Sequence, residues 1–111
     1  MLGATIETHT DTGMFDRVQL GRRLRAARVL AGYRRMDAVQ RELEARFGHV
    51  YSLRGLYAME RGAQEPHMQL LFRLMMIYDP PNGLEFWGDA IRDEEAWEWF
   101  TGMVRKSFSR S

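Results

Sequence analysis

The sequence predicts an all-α fold, in which a compact domain of four to five helices is followed by an additional C-terminal helix. Apolar residues recur every three or four positions, which is the period of an amphipathic helix. The extended alternation of apolar and polar residues that predicts strands is missing, and there is no internal repeat. Hydrophobic residues form 45% and charged residues 28% of the 111 residues, which is ordinary for one globular domain.

The first two helices are predicted from their apolar periods and their breaks. The first runs from Asp16, with apolar residues every three or four positions, and stops at Gly32. We expect the second to have Asp37 as its N-cap, with Gln40 three residues later completing a capping box. Gly48 would end this second helix, whose apolar residues would form one buried stripe.

The third and fourth helices follow the same logic. Ser52 is a good N-cap for a short third helix that Gly62 would end. Pro66 suits the first turn of a fourth helix, which residues 79–81, Asp-Pro-Pro, would break. A short helix over 84–91 and a longer one over 93–108 are predicted beyond this break.

Charge is distributed unevenly along the chain. Residues 15–62 hold eleven arginines against five acidic residues, a net charge of +6, although the whole chain has only +1. Residues 63–111 have a net charge of −3. A basic segment attracts polyanions, usually nucleic acid, although a solvated helical surface can have the same composition.

The sequence gives little support for an active site, a metal site or a membrane-spanning segment. The chain has no cysteine, and its three histidines are too widely spaced for a metal site (His9, His49 and His67). Acidic residues at 94, 95 and 98 look like paired carboxylates, but no nucleophile or phosphate loop accompanies them. The apolar run over 70–78 is too short for a bilayer, and no signal pattern precedes it. We therefore expect a cytoplasmic protein without cofactor, and not an enzyme.

Three features between Leu20 and Tyr78 carry a family resemblance. Residues 20–28, Leu-Gly-Arg-Arg-Leu-Arg-Ala-Ala-Arg, lead to Gly32-Tyr33. Ser52 is followed by Leu-x-x-Met-Glu-Arg-Gly at 56–62, and Pro66 opens a leucine-rich segment. In order and spacing they resemble the lambda-repressor-like helix-turn-helix family, also called the XRE family.

The resemblance implies that helix 53–61 enters the major groove of double-stranded DNA. Arg54 is the residue that could bind guanine in a bidentate way, and the other positions around the helix are unusually apolar. The resemblance also implies a structural ion pair between Arg28 and Glu60. The predicted DNA-binding residues are Arg34, Arg35, Ser52, Leu53, Arg54, Gly55, Tyr57, Ala58 and Arg61.

Three segments are predicted on this basis. Residues 1–14 would be a flexible N-terminal arm, 15–79 the helix-turn-helix DNA-binding domain, and 80–111 a helical extension. Because one core stripe would not use both tryptophans at 97 and 99, we expect a homodimer or partner interface there, with simple packing on the fourth helix as the alternative. The predicted interface residues are Trp87, Trp97, Trp99 and Phe100.

The sequence thus predicts a sequence-specific DNA-binding transcriptional regulator, repressor-like and of a small size that suits phage or plasmid control. The alternative is a helix-turn-helix-fold protein-interaction module, or an antitoxin that binds a protein partner. The apolar residues of helix 53–61 would favour this alternative. The two differ in salt dependence, because several arginines on phosphates respond steeply to ionic strength and an apolar interface does not.

Overall fold

Helices form the framework of the protein. The computed structural model describes residues 14–108, with side chains as far as Lys106. Its helices are α1 (Arg17–Leu30), α2 (Met36–Phe47), α3 (Leu53–Glu60), α4 (Met68–Tyr78), a 3₁₀ helix (Gly83–Ala90) and α5 (Glu94–Phe108). No strand is assigned within this described part, and the prediction of an all-α fold is confirmed.

Side-chain N-caps begin two of the helices, and Ser52 is the one that the sequence predicts. Asp16 accepts hydrogen bonds through Oδ1 from the backbone N–H of Val18 and Gln19, at 3.0 and 3.2 Å, which fixes the start of α1. Ser52 accepts one through Oγ from the N–H of Gly55 at 3.0 Å, which fixes the start of α3. The start of α3 is therefore set by the residue that the sequence predicts, whereas the capping role of Asp16 is a finding of the structure.

The predicted capping box of α2 is wrong. The helix begins at Met36, its N-cap residue is Arg35, and no side chain caps its first turn. The Asp37 carboxylate is bound by two arginines instead, because charged donors form stronger hydrogen bonds than backbone amides. Gln40 donates from Nε2 to the carbonyl of Tyr51 at 2.6 Å.

The prediction for Pro66 is also wrong by two residues. Helix α4 begins at Met68 with His67 as its N-cap residue, so Pro66 precedes the helix, where its ring is buried. The predicted break is present, since Asp79 adopts a left-handed conformation with φ of 42°. The predicted short helix over 84–91 is a 3₁₀ helix at 83–90.

One hydrophobic core connects the segments before and after residue 80. Phe15, Trp87 and Phe100 are among the largest fully buried side chains and belong to the cluster that includes the inward leucines of α1. Phe15 packs edge-on against Phe100, with ring centroids 5.5 Å apart. Of the predicted flexible arm, residues 1–13 lie outside the described residues, and Met14 is buried.

Backbone and charge contacts reinforce this connection. The N–H of Asp16 donates to the carbonyl of Ala90 at 2.8 Å, and the N–H of Arg92 donates to the carbonyl of Met14 at 3.0 Å. On α1, Arg23 forms an ion pair with Asp89 and lies 5.3 Å from the ring centroid of Phe86. The extension therefore packs on the side of α1 that carries Arg23.

Helices α1 and α3 approach each other closely at Gly21. A Cβ atom on this residue would lie 2.4 Å from the carbonyl oxygen of Glu60 and 2.6 Å from that of Met59. Such distances are far inside van der Waals contact, and both atoms belong to the backbone. The absent side chain of Gly21 therefore sets the depth at which α3 lies against α1.

Replacing Gly21 by alanine should lower the free energy of unfolding by about 2 kcal/mol or more, because two backbone carbonyls must move. The matched control is Gly102→Ala in α5, where an added Cβ meets nothing within 4 Å. We expect that change to raise stability by about 0.5–1 kcal/mol. Urea unfolding at low protein concentration measures both, and equal effects would show that the α1–α3 approach does not restrict residue 21.

Candidate nucleic-acid interface

Helix α3 presents one outward face and one buried face. Leu53, Arg54 and Tyr57 are exposed, as is Arg61, the C-cap residue, and together they occupy one sector of the helix surface. Leu56 and Met59 face inward, with exposures of 3% and 4%. The outward face is therefore mixed, with an aliphatic and an aromatic side chain beside two guanidinium groups.

Three of the predicted DNA-binding residues are placed differently from this face. Ala58 is only 8% exposed, so its prediction as a contact residue is wrong, because its side chain is buried. Gly55 is half-buried beside the Ser52 cap. Ser52 is exposed, but its hydroxyl already accepts a hydrogen bond within α3.

A groove joins the outward face of α3 to the N-terminus of α2. It has a volume of about 320 Å³, and its lining residues are Arg34, Arg35, Met36, Asp37, Leu53 and Tyr57. The first backbone N–H groups of a helix point out of its N-terminus and give it a partial positive charge. Because α2 has no side-chain cap, this end of the helix is available to an external acceptor.

An acidic side chain lies among these basic groups. Asp37 is bound by Arg35, with Nε–Oδ1 and Nη2–Oδ2 distances of 3.0 and 3.1 Å, and by Arg41 through Nη1–Oδ2 at 3.3 Å. The hydrogen bonds from Arg35 are the main reason that the pKa of Asp37 falls to about 2. Asp37 is thus charged at neutral pH and offsets part of the charge of Arg35.

Other arginines near the groove lack such a partner. Within residues 14–108, Arg34, Arg54 and Arg61 are exposed and take part in no ion pair. All three were predicted as DNA-binding residues, whereas the role of Asp37 was not predicted. The signal was available, since Asp37 and Arg41 are four residues apart on one helix, a spacing typical of ion pairs.

A nearly buried ion pair fixes the end of α3. Arg28 donates from Nε and Nη2 to the two carboxylate oxygens of Glu60, at 2.7 and 3.0 Å, and the two side chains are only 7% and 8% exposed. The hydrogen bond with Glu60 raises the pKa of Arg28 above its ordinary value. Arg28 and Glu60 thus form the pair that the family resemblance implies.

The same guanidinium also holds the turn between α1 and α2. Arg28 donates from Nη1 to the carbonyl oxygens of Tyr33 and Arg34, at 2.9 and 3.0 Å. These bonds were not predicted, because every residue has a backbone carbonyl and the sequence does not show which of them accept a hydrogen bond. The Arg28 side chain therefore connects α1 to Arg34, which lines the groove, and to the C-terminal end of α3.

The turn between α2 and α3, residues 48–52, is held by the side chains of Gln40 and Arg73. Gly48 has φ of 71°, which ends α2 in the left-handed conformation that glycine tolerates. Tyr51 accepts a hydrogen bond from Gln40 at its carbonyl and one from Arg73 at its hydroxyl, the latter at 2.8 Å. Arg73 also lies 4.9 Å from the ring centroid of Phe47. This turn is therefore connected to both α2 and α4.

The predicted aromatic interface is only partly exposed. Trp87 and Phe100 are 1% and 0% exposed, so their prediction as interface residues is wrong, because the core beneath α1 uses both rings. Trp97 is partly buried and packs against that core, with its ring centroid 6.4 Å from that of Phe100. Trp99 is 57% exposed.

Comparison with known proteins gives no match: no family model, no curated protein and no solved structure matches this chain. Membership of the lambda-repressor-like family therefore stays a prediction from residues. Among the described residues, no helix is long and apolar enough to cross a membrane. The same part of the chain contains no group of three or more side chains that could hold a metal ion.

Proposed function

We propose that the protein is a sequence-specific DNA-binding transcriptional regulator, repressor-like and cytoplasmic, that inserts α3 into the major groove. One observation carries the proposal: the outward face of α3, with Arg54 and Tyr57, adjoins an arginine-lined groove at the uncapped N-terminus of α2. This arrangement combines a helix that can reach base edges with groups that bind phosphate, which are the two requirements of major-groove recognition.

Each part of the interface has a distinct task in this proposal. Arg54 donates two hydrogen bonds to O6 and N7 of a guanine, and Leu53 contacts the methyl group of a thymine. Arg34 and the N-terminus of α2 bind backbone phosphates, which fixes the position of the helix without selecting sequence. Tyr57, at the rim of the groove, donates its hydroxyl to a phosphate oxygen.

Long-range charge supports the same partner. The segment 15–62, which contains α1, α2 and α3, has a net charge of +6. Duplex DNA carries a dense negative charge, so such a segment speeds association and makes affinity fall steeply with salt. The negative charge of Asp37 in the groove opposes this attraction, and a substitution can remove that charge.

A second candidate function is favoured by a specific observation. Leu53 and Tyr57 are 37% and 43% exposed, so about half of the outward face of α3 is apolar. Such a face also suits a protein partner, which would make the chain an interaction module or an antitoxin with a helix-turn-helix fold. Binding to a protein through these two residues would depend little on ionic strength.

Selection of binding sites from a random duplex library tests the proposal. We expect the wild type to enrich a motif that Arg54→Ala relaxes at one base pair, with a loss of discrimination of about 1–3 kcal/mol. The control is Arg25→Ala, which removes an equal charge from an exposed position of α1 and should leave the motif unchanged. Binding without a motif would contradict sequence specificity, and no binding at about 50 mM salt would favour the protein partner.

Asp37→Asn should strengthen DNA binding, because it removes a negative charge from the groove and releases Arg35 and Arg41. We expect about a fivefold gain in affinity at low salt, where charge interactions are least screened. Glu85→Gln makes the same change in net charge on the 3₁₀ helix and should have little effect. Fluorescence anisotropy with a labelled duplex measures both, and equal gains would show that this groove lies outside the DNA contact.

A further inference from the structure

Helix α5 has an exposed stripe that the proposed DNA contact does not use. Glu95, Trp99, Gly102 and Lys106 are all exposed, and their spacing of four, three and four residues aligns them along one side of the helix. The opposite side of α5 is packed in the core through Phe100 and Val104, which are 0% and 3% exposed. The stripe, defined by these four exposed residues, therefore points away from the rest of the protein.

Two residues of the stripe are unfavourable in an isolated chain. Trp99 is 57% exposed, although aromatic side chains gain much from burial. Gly102 is inside a helix, where glycine is a poor helix former, and a Cβ at this position would meet nothing within 4 Å. Packing within residues 14–108 thus gives no reason for glycine here, whereas close approach of a second helix would.

The stripe is complementary to itself when reversed. If a second α5 lies antiparallel with Trp99 opposite Gly102, then Glu95 is opposite Lys106 in the same register, since both pairs are centred on the same point of the helix. The acidic first turn of α5, with Glu94 and Glu95, would also face the basic last turn, with Arg105 and Lys106. A two-fold axis repeats each contact, which is the property of an isologous dimer.

We propose that α5 forms a homodimer by antiparallel pairing with α5 of a second copy. Trp99 covers the backbone of the partner's Gly102, and Glu95 forms an ion pair with the partner's Lys106. The glycine lets the two helices approach closely enough for the indole to lie flat on the partner helix. Parallel pairing would place carboxylates opposite carboxylates, so charge selects the antiparallel arrangement.

A second copy fits this surface better than DNA does. The stripe begins with an acidic turn, which repels phosphate. In an antiparallel pair of α5 helices, the acidic turn of each copy lies opposite the basic last turn of the other. The proposal does not depend on DNA binding, since the residues involved are on α5 and those of the candidate interface are on α2 and α3.

Sedimentation equilibrium of the full chain tests this dimer. We expect the wild type to form dimers, and Gly102→Gln to weaken the dimer constant by about tenfold or more, because the new side chain occupies the place of the indole. In the dilute monomer the same variant should melt at an equal or higher temperature, since glutamine is a better helix former and finds open space. Ala45→Gln, at an exposed position of α2, is the matched control and should leave the dimer unchanged.

Charge exchange tests the register. Glu95→Lys and Lys106→Glu should each weaken the dimer, and the double variant should recover most of the wild-type affinity because the ion pairs re-form with reversed sign. The proposal is overturned if the wild type stays monomeric at about millimolar concentration, the weak limit of specific association. It is also overturned if Gly102→Gln dimerises like the wild type, or if the double variant is no better than the single ones.

Discussion

The placement of α3 depends on the ion pair between Arg28 and Glu60. Its carboxylate and guanidinium are nearly buried, and the remaining donors of Arg28 bind the carbonyls of Tyr33 and Arg34. Removing one partner of such a pair leaves an uncompensated buried charge and costs about 3–5 kcal/mol, a large part of the about 5–15 kcal/mol that stabilises a small domain. Because Arg28 binds both Glu60 and the carbonyl of Arg34, the pair fixes the position of α3 relative to the groove. This positioning is its main effect, since a buried ion pair adds little net stability.

The arginines of this chain have two roles: some bind acceptors within the protein, and others are exposed to solvent without an ion pair in the described residues. Arg28 is 6% exposed and fully committed to internal acceptors, and Arg23 joins α1 to the 3₁₀ helix through Asp89. Arg34 and Arg54 are exposed without ion pairs in the described part of the chain. Arg34 lines the groove between α2 and α3, and Arg54 lies beside it on α3. The basic composition of residues 15–62 thus supports both the packing of the helices and the proposed attraction to DNA.

Local signals predicted the helices well, because apolar periodicity and a cap such as Ser52 act over a few residues. The capping box at Asp37 failed because α2 already begins at Met36 and because Arg35 and Arg41 bind the carboxylate. Trp87 and Phe100 were expected at an interface, but the pairing of residues 14–16 with 90–92 brings them into the core. Such contacts between distant segments have no periodic signal, so the exposed arginines of α3 and the groove were predictable, whereas the burial of Trp87 and Phe100 was not.

The central claim, that the outward face of α3 and the adjoining groove form the DNA interface, is tested most directly by NMR. A ¹⁵N-labelled sample would be titrated with a short random-sequence duplex at low salt while backbone amide shifts are followed. The account predicts the largest changes at Arg34, Arg35, Leu53, Arg54 and Tyr57, and a loss of these changes at high salt. Changes confined to α5 or the 3₁₀ helix, with α3 unaffected, would contradict it.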